Sequence, residues 1–389
     1  MSTREFYYAE DQSETSITTG TAFTDKASIT QTFTNGVDYY LMYCAIIRNS
    51  TNTTADVKAR LFNNTDSATL RAVNYEMFSA TADYHPVFGM DIYTGAGASK
   101  QFSVGFAAES SGNNVKCKNA AIIAVAKNSL DAYAEVETDL SESAGSWADH
   151  TTLTFTPATS GDYLIIASAE IRDSSTGVEV WAHLLDPDGS TVYGECQRQN
   201  KDGTNWYAWS TIIKKTLAAS SQTFKTQFKT QDAVGEVAHM RSCVILALRL
   251  DQFANNYYAE SLSESLTTST TYQDKTTLTA TPVARDHLTF SVFNVGLANS
   301  SNVISGQLDK GGSSQWEGSF LGPGGAGRAE TFASFRVESL AASSTTWKTQ
   351  WKVDGGAING RINSSVVAIL DLENAGGSPI TKSFGYVIG

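Results

Sequence analysis

Two sets of carboxylates recur along this 389-residue chain and are the first candidates for chemistry. Glu10, Glu135 and Glu260 form one set, and Asp25, Asp149 and Asp274 the other. A glycosidase needs two carboxylates about 5–10 Å apart across a sugar. Recurrence argues against that reading, because one active site has no use for three copies of its acids. A turn-capping or surface role is expected for them. The histidines, His85, His150, His183, His239 and His287, are scattered, and no HExxH, GxSxG or P-loop motif occurs. The glycine-rich Gly322-Pro323-Gly324-Gly325-Ala326-Gly327-Arg328 lacks the Lys-Ser/Thr of a phosphate cradle and reads as a loop. Asp186-Pro187-Asp188-Gly189 reads as a turn before it reads as a calcium loop. Cys44, Cys117, Cys196 and Cys243 form no CxxC pair and none lies beyond residue 243, so buried free thiols are expected and neither disulfides nor zinc. No catalytic residue, metal ligand or cofactor is therefore expected, and the chain reads as a non-enzyme.

Aromatic side chains are the better binding candidates. Asn205-Trp206-Tyr207-Ala208-Trp209 places three large rings within four positions. Adjacent residues of a strand point to opposite faces, so Trp206 or Tyr207 is expected at the surface, where a flat ring stacks on a sugar or anchors a protein. Trp316 is a third such candidate, while Trp209 is expected in the core. After the breaker Asn374–Pro379, the side chains Ile380, Phe384, Tyr386 and Ile388 sit on a segment with no core of its own. That segment is expected to pack back on the preceding domain or to dock as an extended arm on a neighbouring subunit.

The elements that position these residues come in three copies. Tyr8-Ala9-Glu10 recurs as Tyr133-Ala134-Glu135 and Tyr258-Ala259-Glu260, and an aromatic-x-Asp-basic signature follows each time. It reads Phe23-Thr24-Asp25-Lys26, Trp147-Ala148-Asp149-His150 and Tyr272-Gln273-Asp274-Lys275. Between 216–229 and 339–352, ten of fourteen positions are identical, whereas the first copy keeps only Phe102 and Phe106 of that stretch. Phe224-Lys225-Thr226-Gln227-Phe228-Lys229 alternates at period two, as an antiparallel strand with one wet face does. Longer apolar runs, Ala120 to Ala126, Cys243 to Leu250 and Val366 to Leu372, read as central strands. The expected fold is all-β, with three tandem homologous antiparallel β-sandwich domains of roughly eight strands, jelly-roll-like. Their expected bounds are 1–130, 131–254 and 255–373, with 374–389 as a C-terminal extended arm.

Six prolines, 17% charged residues and a net charge of −12 complete the description. The acidic balance disfavours a nucleic-acid coat. No apolar stretch is long enough for a membrane span, and the first residues lack the layout of a signal peptide. Tandem Tyr-Ala-Glu sandwiches in a Thr/Ser/Asn/Gly-rich, proline-poor, acidic chain resemble bacteriophage virion structural proteins, including capsid decoration or cement proteins, head fibres and tail appendages. The resemblance implies a virion protein assembled in the host cytoplasm, working through surfaces and without a cofactor. Its implied partners are other virion proteins of capsid or tail, further copies of itself, or a host-surface glycan. Three fused domains are expected to imitate a trimer, or else to form an end-to-end rod.

Overall fold

The structure, a computed structural model, describes residues 4–18, 21–51, 55–76, 84–199, 203–231, 235–297, 302–321, 329–355 and 359–373. The glycine-rich segment 322–328 and the arm residues Ile380, Phe384, Tyr386 and Ile388 lie outside them.

Twenty-seven strands and one short 3-10 turn (Leu250–Gln252) make up the regular structure among the described residues. The first nine strands are β1 (Phe6–Asp11), β2 (Thr15–Ile17), β3 (Thr24–Thr32), β4 (Asp38–Asn49), β5 (Asp56–Asn63), β6 (Ala68–Glu76), β7 (His85–Thr94), β8 (Ser99–Ala108) and β9 (Val115–Ala126). The next nine are β10 (Ala132–Val136), β11 (Leu140–Glu142), β12 (Ala148–Phe155), β13 (Gly161–Asp173), β14 (Glu179–Leu185), β15 (Val192–Gln199), β16 (Tyr207–Leu217), β17 (Gln222–Thr230) and β18 (Ala238–Arg249). The last nine are β19 (Asn256–Ser261), β20 (Ser265–Thr267), β21 (Gln273–Ala280), β22 (Arg285–Leu297), β23 (Val303–Lys310), β24 (Ser313–Leu321), β25 (Ala329–Leu340), β26 (Thr345–Val353) and β27 (Gly360–Asp371).

Each set of nine pairs in the same way. An inner sheet runs β1-β9-β4-β7, then β10-β18-β13-β16, then β19-β27-β22-β25. An outer sheet runs β3-β8-β5-β6, then β12-β17-β14-β15, then β21-β26-β23-β24. Without the short strands β2, β11 and β20, this is the jelly-roll order of two four-stranded antiparallel sheets. Details recur as well. The inner pairings slip one residue at Cys44/Ile46, Ser168/Glu170 and Val292/Asn294. Opposite each slip stands a residue with positive φ: Asn119, Ser242 and Ser364, at 50°, 49° and 48°. These bulges add local twist to the inner strands and turn their ends out of line.

Why the inner strands are apolar on both faces is visible in β4. Tyr39, Leu41, Tyr43, Ala45 and Ile47 point into the sandwich interior. Tyr40, Met42 and Cys44, between them, point the other way into a second core. Leu164 and Ile166 of β13, and Leu288, Phe290 and Val292 of β22, do the same. That second core takes nine residues from the first unit, eight from the second and ten from the third, so the three inner sheets surround one shared centre. Fully burying each such side chain contributes on the order of 1.5–3 kcal/mol. A unit standing alone would leave this whole apolar face in water. The three units therefore lie around a common axis and not in a line.

Candidate functional site

The recurrent motifs turn out to be the fittings of this ring. Along β1, β10 and β19, the Ala of Tyr-Ala-Glu faces its own sandwich, and the Tyr faces the preceding unit, as do Glu10 and Glu135. Tyr133 donates its hydroxyl to Asp38 at 3.1 Å, and Tyr8 bonds Asp286. Tyr258 accepts the Lys214 amide at 3.0 Å. Asp38 and Asp286 hold equivalent places in their strands, so the Tyr–Asp contact is made at two seams, and a backbone amide takes its place at the third. Glu10 and Glu135 are seam residues, contrary to the surface role expected of them; Glu260 alone is exposed. Glu135 receives Arg71 Nη2 at 2.7 Å and the Ile92 amide at 3.2 Å.

The second set of acids does local work. Asp149 accepts Lys225 at 2.5 Å and Gln227 at 2.6 Å, and Asp274 accepts Lys348 and Gln350, both at 2.6 Å. The first unit has Ser103 and Gly105 at those places, and Asp25 turns to Asn64 at 2.8 Å. The basic residue of the signature closes the loop after the first strand. Lys26 donates to Asp11, Ser13 and Thr15, Lys275 to Ser263 and Ser265, and His150 pairs with the Thr138 carbonyl. No glycosidase-like pair of free carboxylates results. In the Asp186–Gly189 turn, Asp188 accepts the Ser190 and Thr191 amides and Asp186 is paired with Lys215 at 2.6 Å. No group of three His, Cys, Asp or Glu is placed to hold a metal among the described residues. The four cysteines are buried and free, with burial pushing Cys44 and Cys243 up to about 11.

Trp206, Tyr207 and Trp316 are corrections to the sequence reading, for all three are buried, at 8%, 1% and 2% exposure. Trp206 is covered where it stands: the first unit holds its backbone, and side chains of its own unit's β13 and β18 cover its ring. Asn74 of β6 bonds Trp206 backbone to backbone, and the Arg172 and Arg241 guanidinium groups lie 4.8 and 3.9 Å from its ring. Tyr207 meets Tyr75 edge-on at 5.1 Å, and Trp316 stacks on Phe293 at 5.3 Å inside the third sandwich. Trp209 is in the core, as expected.

Three seams close the ring by the same elements. The start of β16 meets β6 through Asn74 and Trp206, and β25 meets β15 through Ala329 and Gln197. Tyr84, just before β7, meets Ser319 of β24 at 2.7 and 2.8 Å. These contacts run from first to second, second to third and third back to first, a head-to-tail interface that closes. His85, Tyr207 and Glu330 are equivalent in their strands and converge beside the axis. Glu330 takes His85 Nδ1 at 2.7 Å and Arg198 at 2.5 Å, so one charged cluster draws on all three units. Burial opposes ionisation of Glu330, but Arg198 and then His85 hold it below the usual carboxylate range.

Sequence reasoning missed these contacts because each joins residues in different copies. Two signals pointed to them. Apolar runs without alternation require cover on both faces, and His85, Tyr207 and Glu330 align at nearly the repeat spacing.

No protein-family model matches this chain, and no curated protein matches it in sequence. Solved structures do resemble it. A chain from a structure of an archaeal virus, described by its triple jelly roll fold and turret assembly, is 10% identical over 98% of this chain and 92% of that one, with TM-score 0.22. The infectious bursal disease virus VP2 subviral particle gives 9%, 95%, 82% and 0.23. A tandem CBM22 domain from Paenibacillus barcinonensis Xyn10C gives 10%, 62%, 98% and 0.19. At such identities and scores, none of these likenesses carries an inference about function.

Proposed function

We propose that this chain is a non-enzymatic virion structural protein, a single-chain pseudo-trimer of three jelly-roll domains (1–130, 131–254 and 255–373) that decorates or cements a capsid surface. The observation that carries the reading is the closed ring of three equivalent units around one shared apolar core. Such a ring presents three-fold geometry from one polypeptide, and fusion removes the association entropy of collecting three chains. It fits a local three-fold position of a lattice built from other virion proteins. Its recurrent acids are occupied by structural partners, which leaves surfaces as the working parts. The segment 374–389 follows β27, and in this reading Ile380, Phe384, Tyr386 and Ile388 dock it on a neighbouring capsid subunit. Assembly takes place in the host cytoplasm. Quantitative mass spectrometry of particles purified from the native source tests the proposal. Hundreds of copies per particle are expected of a lattice decoration protein. A few copies would move the chain to a tail or vertex, and complete absence would end the virion reading.

A further inference from the structure

The three outer sheets turn their second faces away from the ring. On those faces the units differ, although they share one backbone pattern. In the first unit the signature ring Phe23 lies under the Arg60 guanidinium at 4.1 Å. In the third, Tyr272 lies under Lys352 at 4.4 Å and donates to Glu317. In the second, Trp147 is joined by a second indole. Trp181 sits across from Lys229 in the pairing of β14 with β17, where the first unit has Lys58 and the third Ser305. The fold therefore accepts a polar side chain at this place, and packing alone does not call for Trp181.

We propose that this outward face of the second unit, centred on Trp147 and Trp181, binds a neutral pyranose-containing oligosaccharide. The two half-buried indoles are 6.4 Å apart and inclined at 67°. Trp147 is braced from one side by the His183 ring at 3.8 Å. His183 in turn bonds Gln227 at 2.9 Å, and Gln227 bonds Asp149 at 2.6 Å, so the platform is held in place before any ligand arrives. Pre-set rings lose little freedom on binding. A pyranose has an apolar C–H face and a rim of hydroxyls. The first suits the electron-rich face of an indole. The rim suits acceptors at Asp149 and Glu195 and donors at Gln227 and Lys229, which surround the rings. Lys229 stands 4.9 and 4.4 Å above the two rings, so a sugar replaces a cation–π contact and gains a donor beside it. The charges of Asp149 and Glu195 are matched by Lys225 and Lys229, which favours a neutral ligand over an acidic one.

The test applies the full chain to an array of neutral hexose and hexosamine oligosaccharides, with sialylated and sulfated ones as comparators. The best neutral binder is then titrated against indole fluorescence. Trp181→Ser reproduces the third copy's residue, so the fold is retained; at least about tenfold weaker binding is expected with an unchanged Tm. Trp147→Phe, the first copy's residue, is expected to weaken binding less. An array on which the wild type retains no neutral sugar overturns the proposal. So does binding confined to the acidic sugars, or equal affinity of Trp181→Ser. None of these outcomes bears on copy number in particles.

Discussion

Glu170 is a carboxylate with almost no water and a full set of protein partners. It accepts Arg241 Nε at 2.7 Å and, from the first unit, the Ala72 amide at 2.8 Å, while Arg241 also reaches the Ala72 carbonyl at 3.2 Å. Replacing it with alanine strands a buried amide and an arginine together. Glu170→Ala is expected to lower stability by about 3–5 kcal/mol in urea unfolding; a change below about 1 kcal/mol would mean that water satisfies these groups. A second cluster lies in the same seam, where Arg71 gathers Asp91, Glu135 and Glu137. Burial pushes Asp91 up to about 6 and Glu135 up to about 7, with Arg71 only partly offsetting it. Both bind a proton more tightly folded than unfolded, where carboxyls titrate near about 4. The native state thus holds extra protons between about pH 4 and 7, and this contribution to stability falls as pH rises through that window. His150 and His287, lowered by burial, act in the opposite sense. Comparison with Glu135→Gln separates the two. Between pH 5 and 8 the wild type is expected to lose more Tm than the variant, and parallel curves would contradict the assignment.

At the scale of elements, one bulge position shows how far the copies have diverged. Ile46 packs into the third unit's core, its equivalent Glu170 is ion-paired with Arg241 and accepts the first unit's Ala72 amide, and Asn294 donates to the Glu195 carbonyl at 2.7 Å. A single backbone feature thus hosts an apolar, an ionic and a polar contact. The sandwich interiors differ likewise. In the third unit the Thr276 amide bonds Thr349, which pairs with Ser365 at 2.5 Å; in the second, Thr151, Thr226 and Cys243 stand in the same places. The first unit has Ala27, Val104 and Ala120 there. Thr349→Val is expected to destabilise by about 1–3 kcal/mol, and Ser365→Ala to cost less on that background than in the wild type. Additive losses in a double-mutant cycle would deny the coupling. The contrast also marks what a sequence can disclose. Period-two alternation in Phe224–Lys229 and the repeat of Tyr-Ala-Glu gave strands and copies, because both are local. Trp206 could not be placed, because local alternation says which way a ring leaves its sheet and not what waits there. Trp147 and Trp181 were passed over for a related reason: they are 34 positions apart and meet only through strand pairing.

For the whole molecule, a shared centre implies shared fate. The inner sheet of each unit is half covered by the other two, so losing one unit exposes apolar surface on its neighbours. Calorimetry is expected to show one transition with equal calorimetric and van't Hoff enthalpies, and three resolved transitions would refute the coupling. The chain links first to second and second to third, while the third-to-first seam has no such link among the described residues and is held by contacts alone, among them Tyr84–Ser319, Tyr8–Asp286, Phe88–Phe335, Ile46 and the His85–Glu330 pair. Opening is therefore expected to begin there, and hydrogen exchange should protect Tyr84 and Ser319 less than Asn74. The convergence of His85, Tyr207 and Glu330 has a consequence for anyone imaging this protein on a particle. The ring has three-fold outline but a definite phase, because no two of its corners carry the same side chain. A reconstruction averaged about the axis would merge imidazole, phenol and carboxylate into one false density. Only a map refined without that symmetry would reveal whether the partner beneath reads the phase or ignores it.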